Sequence, residues 1–315
     1  MSETPQIAIV GAGGMGALFG VILQDGGLPV TLIDTDKTHI QAIREHGLKI
    51  TGLGKDRQVK IPATSDAADV KSAHLILFQC KAHGTRAGAK SIKHLTDSGA
   101  TCISFQNGLG NEEVIADEVG ADSVLGGLTA MAGYMTSPGE IRDFARVPSY
   151  IGEMKGGDSE RVTQIAALLS EAGLETHASA DIRHDIWKKL LGNISMSALS
   201  GITNLTAAAC MSLPPLRETA FNAMEEALSV AENEGITLDR RDIEHGMEMI
   251  STPGGTGDNK SSLCVDILNR RPTEVDYIYG TVIAYAEKAG IPVPTLKTLS
   301  SLVKGIESTY MEDAT

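Results

Sequence analysis

Short runs of β-branched and aliphatic residues alternate with amphipathic stretches through the first half of the chain, and this alternation predicts a parallel sheet assembled from strand–helix–strand units. The runs at 7–10, 30–33, 75–78, 101–105 and 123–126 read as strands buried on both faces, whereas 140–144 and 150–152 read as a later antiparallel addition. Helical spacing falls between them, at 15–25 and 158–171 for instance. After Ala180 the strand signal vanishes, and apolar positions recur with helical period over 182–201, 215–234, 240–249, 263–269, 273–289 and 294–307. Gly235, Gly290 and the Pro292/Pro294 pair punctuate these helices. The pattern predicts two domains: residues 1–179, with a doubly wound, mostly parallel sheet, and residues 180–315, all helical, with the boundary near 176–182.

Length agrees, since 315 residues exceed what one core of roughly 250–300 residues holds efficiently. A formal charge of -13, spread along the chain, argues against nucleic acid and anionic membranes as partners. The apolar run at 7–10 follows no basic segment and is far too short to span a bilayer, so neither a signal peptide nor a transmembrane helix is expected. Cys80, Cys102, Cys210 and Cys264 lie far apart without CxxC spacing, which predicts reduced thiols in a cytoplasmic chain. The eight histidines form no HxxxH or HExxH group, so no metal site is expected and each reads as a surface or capping residue.

Gly11-Ala12-Gly13-Gly14-Met15-Gly16 places GxGxxG directly after a predicted strand and before a predicted helix, the context in which the motif points to a dinucleotide. Gly11 serves the tight turn, Gly13 leaves room for a pyrophosphate, and Gly16 lets the helix pack on the strand while free N–H groups face the anion. Asp34 closes the second strand, where a carboxylate accepts from ribose hydroxyls and repels a 2′-phosphate, which favours NAD(H). In the helical half, Lys189 and Asn193 share a face at i, i+4 spacing, with Ser197 one turn further on. A ketone reduced by hydride leaves an alkoxide, and a positioned ammonium both stabilises and protonates it. Taken alone, a lysine in such a stripe reads more readily as part of a solvated helix face. Thr273 reads as a helix cap with Glu274 in the first turn, and Ser261 or Ser262 as another cap.

Together these segments resemble the ketopantoate reductase family over nearly the whole chain. The glycine loop, Cys80-Lys81-Ala82, Gln106-Asn107-Gly108, Trp187-Lys188-Lys189 with Asn193, Ser261-Ser262 with Asp266, and Arg271-Pro272-Thr273-Glu274-Val275-Asp276 occur in the family's order. The resemblance implies a Rossmann domain followed by an all-α domain of the 6-phosphogluconate dehydrogenase C-terminal type, with the active site in the cleft between them. It further implies that Lys189 is the general acid, that Glu274 acts with it, that Asn193 and Ser262 bind substrate, and that Lys81 and Asn107 lie near the nicotinamide ribose and the reacting ketone. The implied partner is a small 2-keto acid, and the implied assembly a monomer or a homodimer.

Three positions depart from the family pattern. Asp34 stands where an arginine suited to NADPH is common; NADP(H) is the family norm, and Asp34 favours NAD(H) here. Ser197 stands where a pocket asparagine is usual, with Asn204 unaligned beyond it, and Tyr279 stands where an asparagine usually precedes the glycine, here Gly280. The resemblance implies nicotinamide-dependent reduction of 2-dehydropantoate to pantoate. A D-2-hydroxy-acid dehydrogenase acting on branched or aromatic 2-keto acids is the alternative within enzymes, and a dinucleotide sensor without chemistry the alternative outside them. The glycine-rich loop at 252–259 is expected to be mobile without substrate.

Overall fold

A computed structural model describes residues 4–252 and 256–311. It divides into two compact units: residues up to Gln106 together with Asn111–Arg183, and Asn107–Gly110 together with the chain from His184 on.

The first unit carries twelve strands among its described residues: β1 (Ile7–Val10), β2 (Val30–Ile33), β3 (Leu48–Gly52), β4 (Arg57–Val59), β5 (Ala63–Thr64), β6 (Leu75–Phe78), β7 (Thr101–Ser104), β8 (Val124–Thr129), β9 (Ala132–Ser137), β10 (Glu140–Ala145), β11 (Ser149–Glu153) and β12 (Thr176–Ala178). Eight form one sheet in the order β12-β11-β8-β7-β6-β1-β2-β5. Six of them run parallel, and β11 turns the sheet by pairing antiparallel to β8. Strand β1 is buried along its whole length because both its faces are covered. Its Ile7 and Ile9 join one apolar core with α1 (Gly14–Asp25), while Ala8 and Val10 join another with Ile76 and Phe78. β1 lies between β2 and β6, so connections leave it on both sides and its carboxyl end is a topological switch point, where such sheets bind ligands.

The sequence pattern located β1, β2 and β6 to the residue but did not contain the second sheet, ordered β4-β3-β10-β9. The run at 140–144 belongs there: β10 pairs parallel with β3 and antiparallel with β9, and joins no strand of the main sheet. The remaining helices of this unit are α2 (Lys37–His46), α3 (Thr85–Ser91), α4 (Lys93–Thr96), α5 (Asn111–Val119) and α6 (Glu160–Glu171).

From α7 (Ile182–Thr203) onward the described chain is helical, with α8 (Ala207–Ser212), α9 (Pro214–Asn233), α10 (Arg240–Ser251), α11 (Ser262–Leu268), α12 (Thr281–Ala289) and α13 (Pro294–Met311). Predicted helix 273–289 is not uniform. It opens on a π-helical turn, Asp276–Gly280, before continuing as α12, and Gly290 closes it in the left-handed conformation. Of the loop expected at 252–259, residues 253–255 lie outside the described ones, and Thr256–Asp258 forms a single 3-10 turn. No helix among the described residues is long and apolar enough to cross a membrane.

Candidate functional site

In the first unit the glycine loop leaves β1 at the switch point. Gly11 takes φ +97°, and a Cβ there would lie 2.3 Å from the Cys80 backbone nitrogen. A Cβ on Gly16 would meet the Gly11 carbonyl oxygen at 1.8 Å, so the helix can approach the strand only without a side chain. Gly13 differs, because a Cβ there would meet nothing within 4 Å. The start of α1 has no side-chain cap and no acidic residue in its first turn, so its N–H groups and its positive dipole end remain available beside that opening. An open glycine at an uncapped helix start is the chemistry a dinucleotide pyrophosphate requires.

Ala12 is held from both sides. Its N–H donates to Asp34 Oδ2 at 2.7 Å, and its carbonyl accepts from His39 Nε2 at 2.8 Å. The second carboxylate oxygen of Asp34 accepts the Asp36 N–H at 2.9 Å, which fixes the carboxylate at the end of β2. His39 is buried, and its Nδ1 accepts the Gly139 N–H at 3.0 Å, which leaves Nε2 as the donor to Ala12. It is therefore no surface residue, as the sequence suggested, but a strut between the glycine loop and the β9–β10 turn. Gln106, beyond β7, donates to the Cys80 carbonyl at 2.9 Å and to Thr85 Oγ1 at 2.7 Å, tying together the ends of the two strands β6 and β7. Lys81 lies half-buried just beyond β6, at the start of a 3-10 turn.

The second unit gathers Asn107, Lys189 and Glu274. Lys189 Nζ donates to Asn107 Oδ1 at 2.9 Å. Burial pushes its ammonium down to about 8, and the negative charge of Glu274 opposes that fall. Its neighbour Lys188 is exposed and points to Asp242 at 2.7 Å, whereas Lys189 is half-buried. Asn193 is half-buried one turn along α7, and its amide hydrogen-bonds to no described group. Ser197, a turn further, is buried, and its carbonyl accepts from Ser261 Oγ at 3.1 Å. Ser261 is also the α11 cap, accepting the Cys264 N–H at 3.1 Å, and Ser262 follows it, exposed. Asn204 lies apart from the stripe, in the left-handed conformation after α7, with its Oδ1 accepting from Lys260 Nζ at 2.5 Å. Thr273 does not cap the helix as expected: the helical turns begin only after Glu274, and Thr273 Oγ1 instead accepts the Val275 N–H at 3.2 Å just ahead of them, with Glu274 buried beside it.

The π turn organises this unit. Widening the helix by one residue per turn frees carbonyls from the ordinary ladder, and the Tyr277 carbonyl accepts the Leu109 N–H at 3.0 Å. Thr281 Oγ1 in turn donates to the Leu109 carbonyl at 3.3 Å. Gly108 makes this docking possible: it takes φ +88°, and a Cβ there would lie 2.5 Å from the Tyr277 carbonyl oxygen. Asn107 is thereby carried to Lys189. An ammonium held in this way can donate one proton near neutral pH and stabilise an adjacent oxyanion. Among the described residues, no three His, Cys, Asp or Glu side chains gather as a metal site would need.

Comparison with known proteins gives a consistent result. Residues 7–156 match the family described as ketopantoate reductase PanE/ApbA, and residues 181–307 match its C-terminal part. A 2-dehydropantoate 2-reductase from Halobacterium salinarum is 31% identical over 300 residues, covering 95% of this chain and 98% of that protein. Among solved structures, a D-mandelate dehydrogenase with NADH and anilino(oxo)acetate superposes with a TM-score of 0.93 at 29% identity, over 97% of this chain and 99% of that one. A PanE/ApbA family ketopantoate reductase from Ralstonia eutropha superposes with a TM-score of 0.89 at 30% identity, with the same coverage.

Proposed function

Because the chain belongs to the ketopantoate reductase family and is a nicotinamide-dependent 2-keto-acid reductase, we propose that it reduces 2-dehydropantoate to pantoate, with Lys189 as proton donor. The observation that carries this reading is the half-buried Lys189 ammonium, fixed on Asn107 at 2.9 Å and within the influence of the Glu274 charge. When bound, the dinucleotide supplies hydride to the ketone carbon. The carbonyl π electrons move to oxygen, and the proton leaves Lys189 Nζ for that oxygen, leaving a neutral amine. Glu274 holds the lysine protonated until then, Asn107 orients it, and the unbonded Asn193 amide and Ser262 hydroxyl serve the substrate's polar groups. Gly11–Gly16 hold the pyrophosphate and Lys81 the nicotinamide-ribose end. Asp34 receives the adenosine ribose hydroxyls and disfavours a 2′-phosphate, so the preferred dinucleotide is NADH.

The test is kcat/KM for 2-dehydropantoate, 2-ketoisocaproate and phenylglyoxylate, each with NADH and with NADPH. The highest value is expected for 2-dehydropantoate, with NADH favoured by at least about tenfold, or ~1.4 kcal/mol. A higher value for phenylglyoxylate would instead support a D-2-hydroxy-acid dehydrogenase, the reading favoured by Ser197 in place of an amide and by the likeness to D-mandelate dehydrogenase. An NADPH preference would remove the role given to Asp34.

The proton donor also sets a pH profile. Reduction needs the charged form, so kcat should be level at low pH and fall as pH rises through about 8. Oxidation of the hydroxy acid needs the neutral amine and should rise over the same interval. Glu274→Gln removes the charge that keeps the ammonium protonated, so its falling limb should lie at lower pH than in the parent enzyme. A limb unmoved by that change would separate Glu274 from Lys189.

A further inference from the structure

Tyr279 belongs to the π turn, is fully buried, and sits where its ring reaches α7. Its hydroxyl accepts the Ala198 N–H at 3.0 Å and donates to the Ile194 carbonyl at 2.6 Å. Those two backbone groups are four residues apart, the pair that an uninterrupted helix bonds to each other. A side-chain hydroxyl bridging such a rung bends or loosens the helix at that point. The rung lies immediately after Asn193 at one end and immediately after Ser197 at the other. Burial pushes the phenol well above its ordinary range, so the hydroxyl stays a donor throughout the working pH interval.

From this bridge we infer that Tyr279 is a positioning residue, which sets where Asn193 and Ser197 stand relative to Lys189 and so determines recognition of the 2-keto acid's distal part. The inference rests on the reductase reading above. It uses an element that already anchors the lysine's partner, since the adjacent Tyr277 carbonyl holds Leu109 and with it the Asn107 segment. One π turn thus holds two segments of this unit: the Asn107 segment through a backbone carbonyl, and the α7 stripe through a phenol. Removing the hydroxyl unties α7 from the π turn at Ile194 and Ala198 and lets Ser197 shift against Asn193 while the ring still fills its space. Lys189 lies before the rung and keeps its place.

The experiment is Tyr279→Phe, assayed with 2-dehydropantoate and with phenylglyoxylate. KM for the better substrate is expected to rise about tenfold with kcat within about twofold, an effect on binding without loss of the proton donor. Affinity for NADH, read by fluorescence titration, should not change, and the melting temperature should move by only about 2–4 °C. In the background of Asn193→Ala plus Ser197→Ala, the same substitution should change KM little, because the groups it positions are gone. Unchanged KM in Tyr279→Phe, or an undiminished effect in that double background, would overturn the inference. Absence of activity in the parent enzyme toward every 2-keto acid would instead defeat the functional reading on which it rests.

Discussion

Replacing Lys189 with alanine is expected to lower kcat by about 10²–10⁴-fold, the range usual for a positioned general acid and equal to ~3–5 kcal/mol of barrier. NADH affinity should be untouched, because the glycine loop and Asp34 belong to the other unit. Lys189→Arg divides the effect into its parts. A guanidinium keeps the charge that stabilises the developing alkoxide but gives up its proton far too reluctantly to act as the acid. Its rate should therefore fall between those of the parent enzyme and Lys189→Ala, and the fall near pH 8 should disappear. Parent-like kcat in the alanine variant would remove Lys189 from the chemistry, whatever its burial.

Gly13→Val is expected to weaken NADH binding by about 100-fold, or ~2.7 kcal/mol, with little change in thermal stability. The two halves of this expectation come from one observation, that the direction of a Gly13 side chain is open. Nothing lies within 4 Å of the place a Cβ would take, yet the added methyls fill the volume a pyrophosphate needs in order to reach the uncapped N–H groups of α1. Gly16→Ala is the control for packing. Its methyl would meet a backbone oxygen at 1.8 Å, so this variant should lose melting temperature as well as affinity. Unchanged NADH titration in Gly13→Val would place the dinucleotide elsewhere.

How much of this the chain discloses beforehand follows from the range of the interactions. Strands β1 and β6 were legible to the residue because burial on both faces demands unbroken apolar runs. Strand β10 was misplaced because its pattern is inverted: Asp143 is buried, paired to Arg146 at 2.8 Å, and Phe144 is exposed. Strands β5 and β12, two and three residues long, are too short to carry a period. At the site, the glycine loop and the Lys189–Asn193–Ser197 spacing are local and could be read. His39 could not, because its partners Ala12 and Gly139 stand 27 and 100 residues away. Nor could the π turn, whose use depends on a segment from the far side of the chain. Tyr279 was visible as a departure from the family pattern, but its effect on α7 appears only once the two helices meet.

The docking of Asn107–Gly110 on the π turn also bears on the order of events at the ribosome. Thr281 and Leu109, which this docking joins, are 172 residues apart. At the ordinary pace of synthesis the four-residue segment emerges on the order of 10–30 s before its partner exists. Sheet order around β7 can be complete by then, but the lysine's asparagine must wait, and competence for proton transfer is acquired among the last steps of the molecule's making.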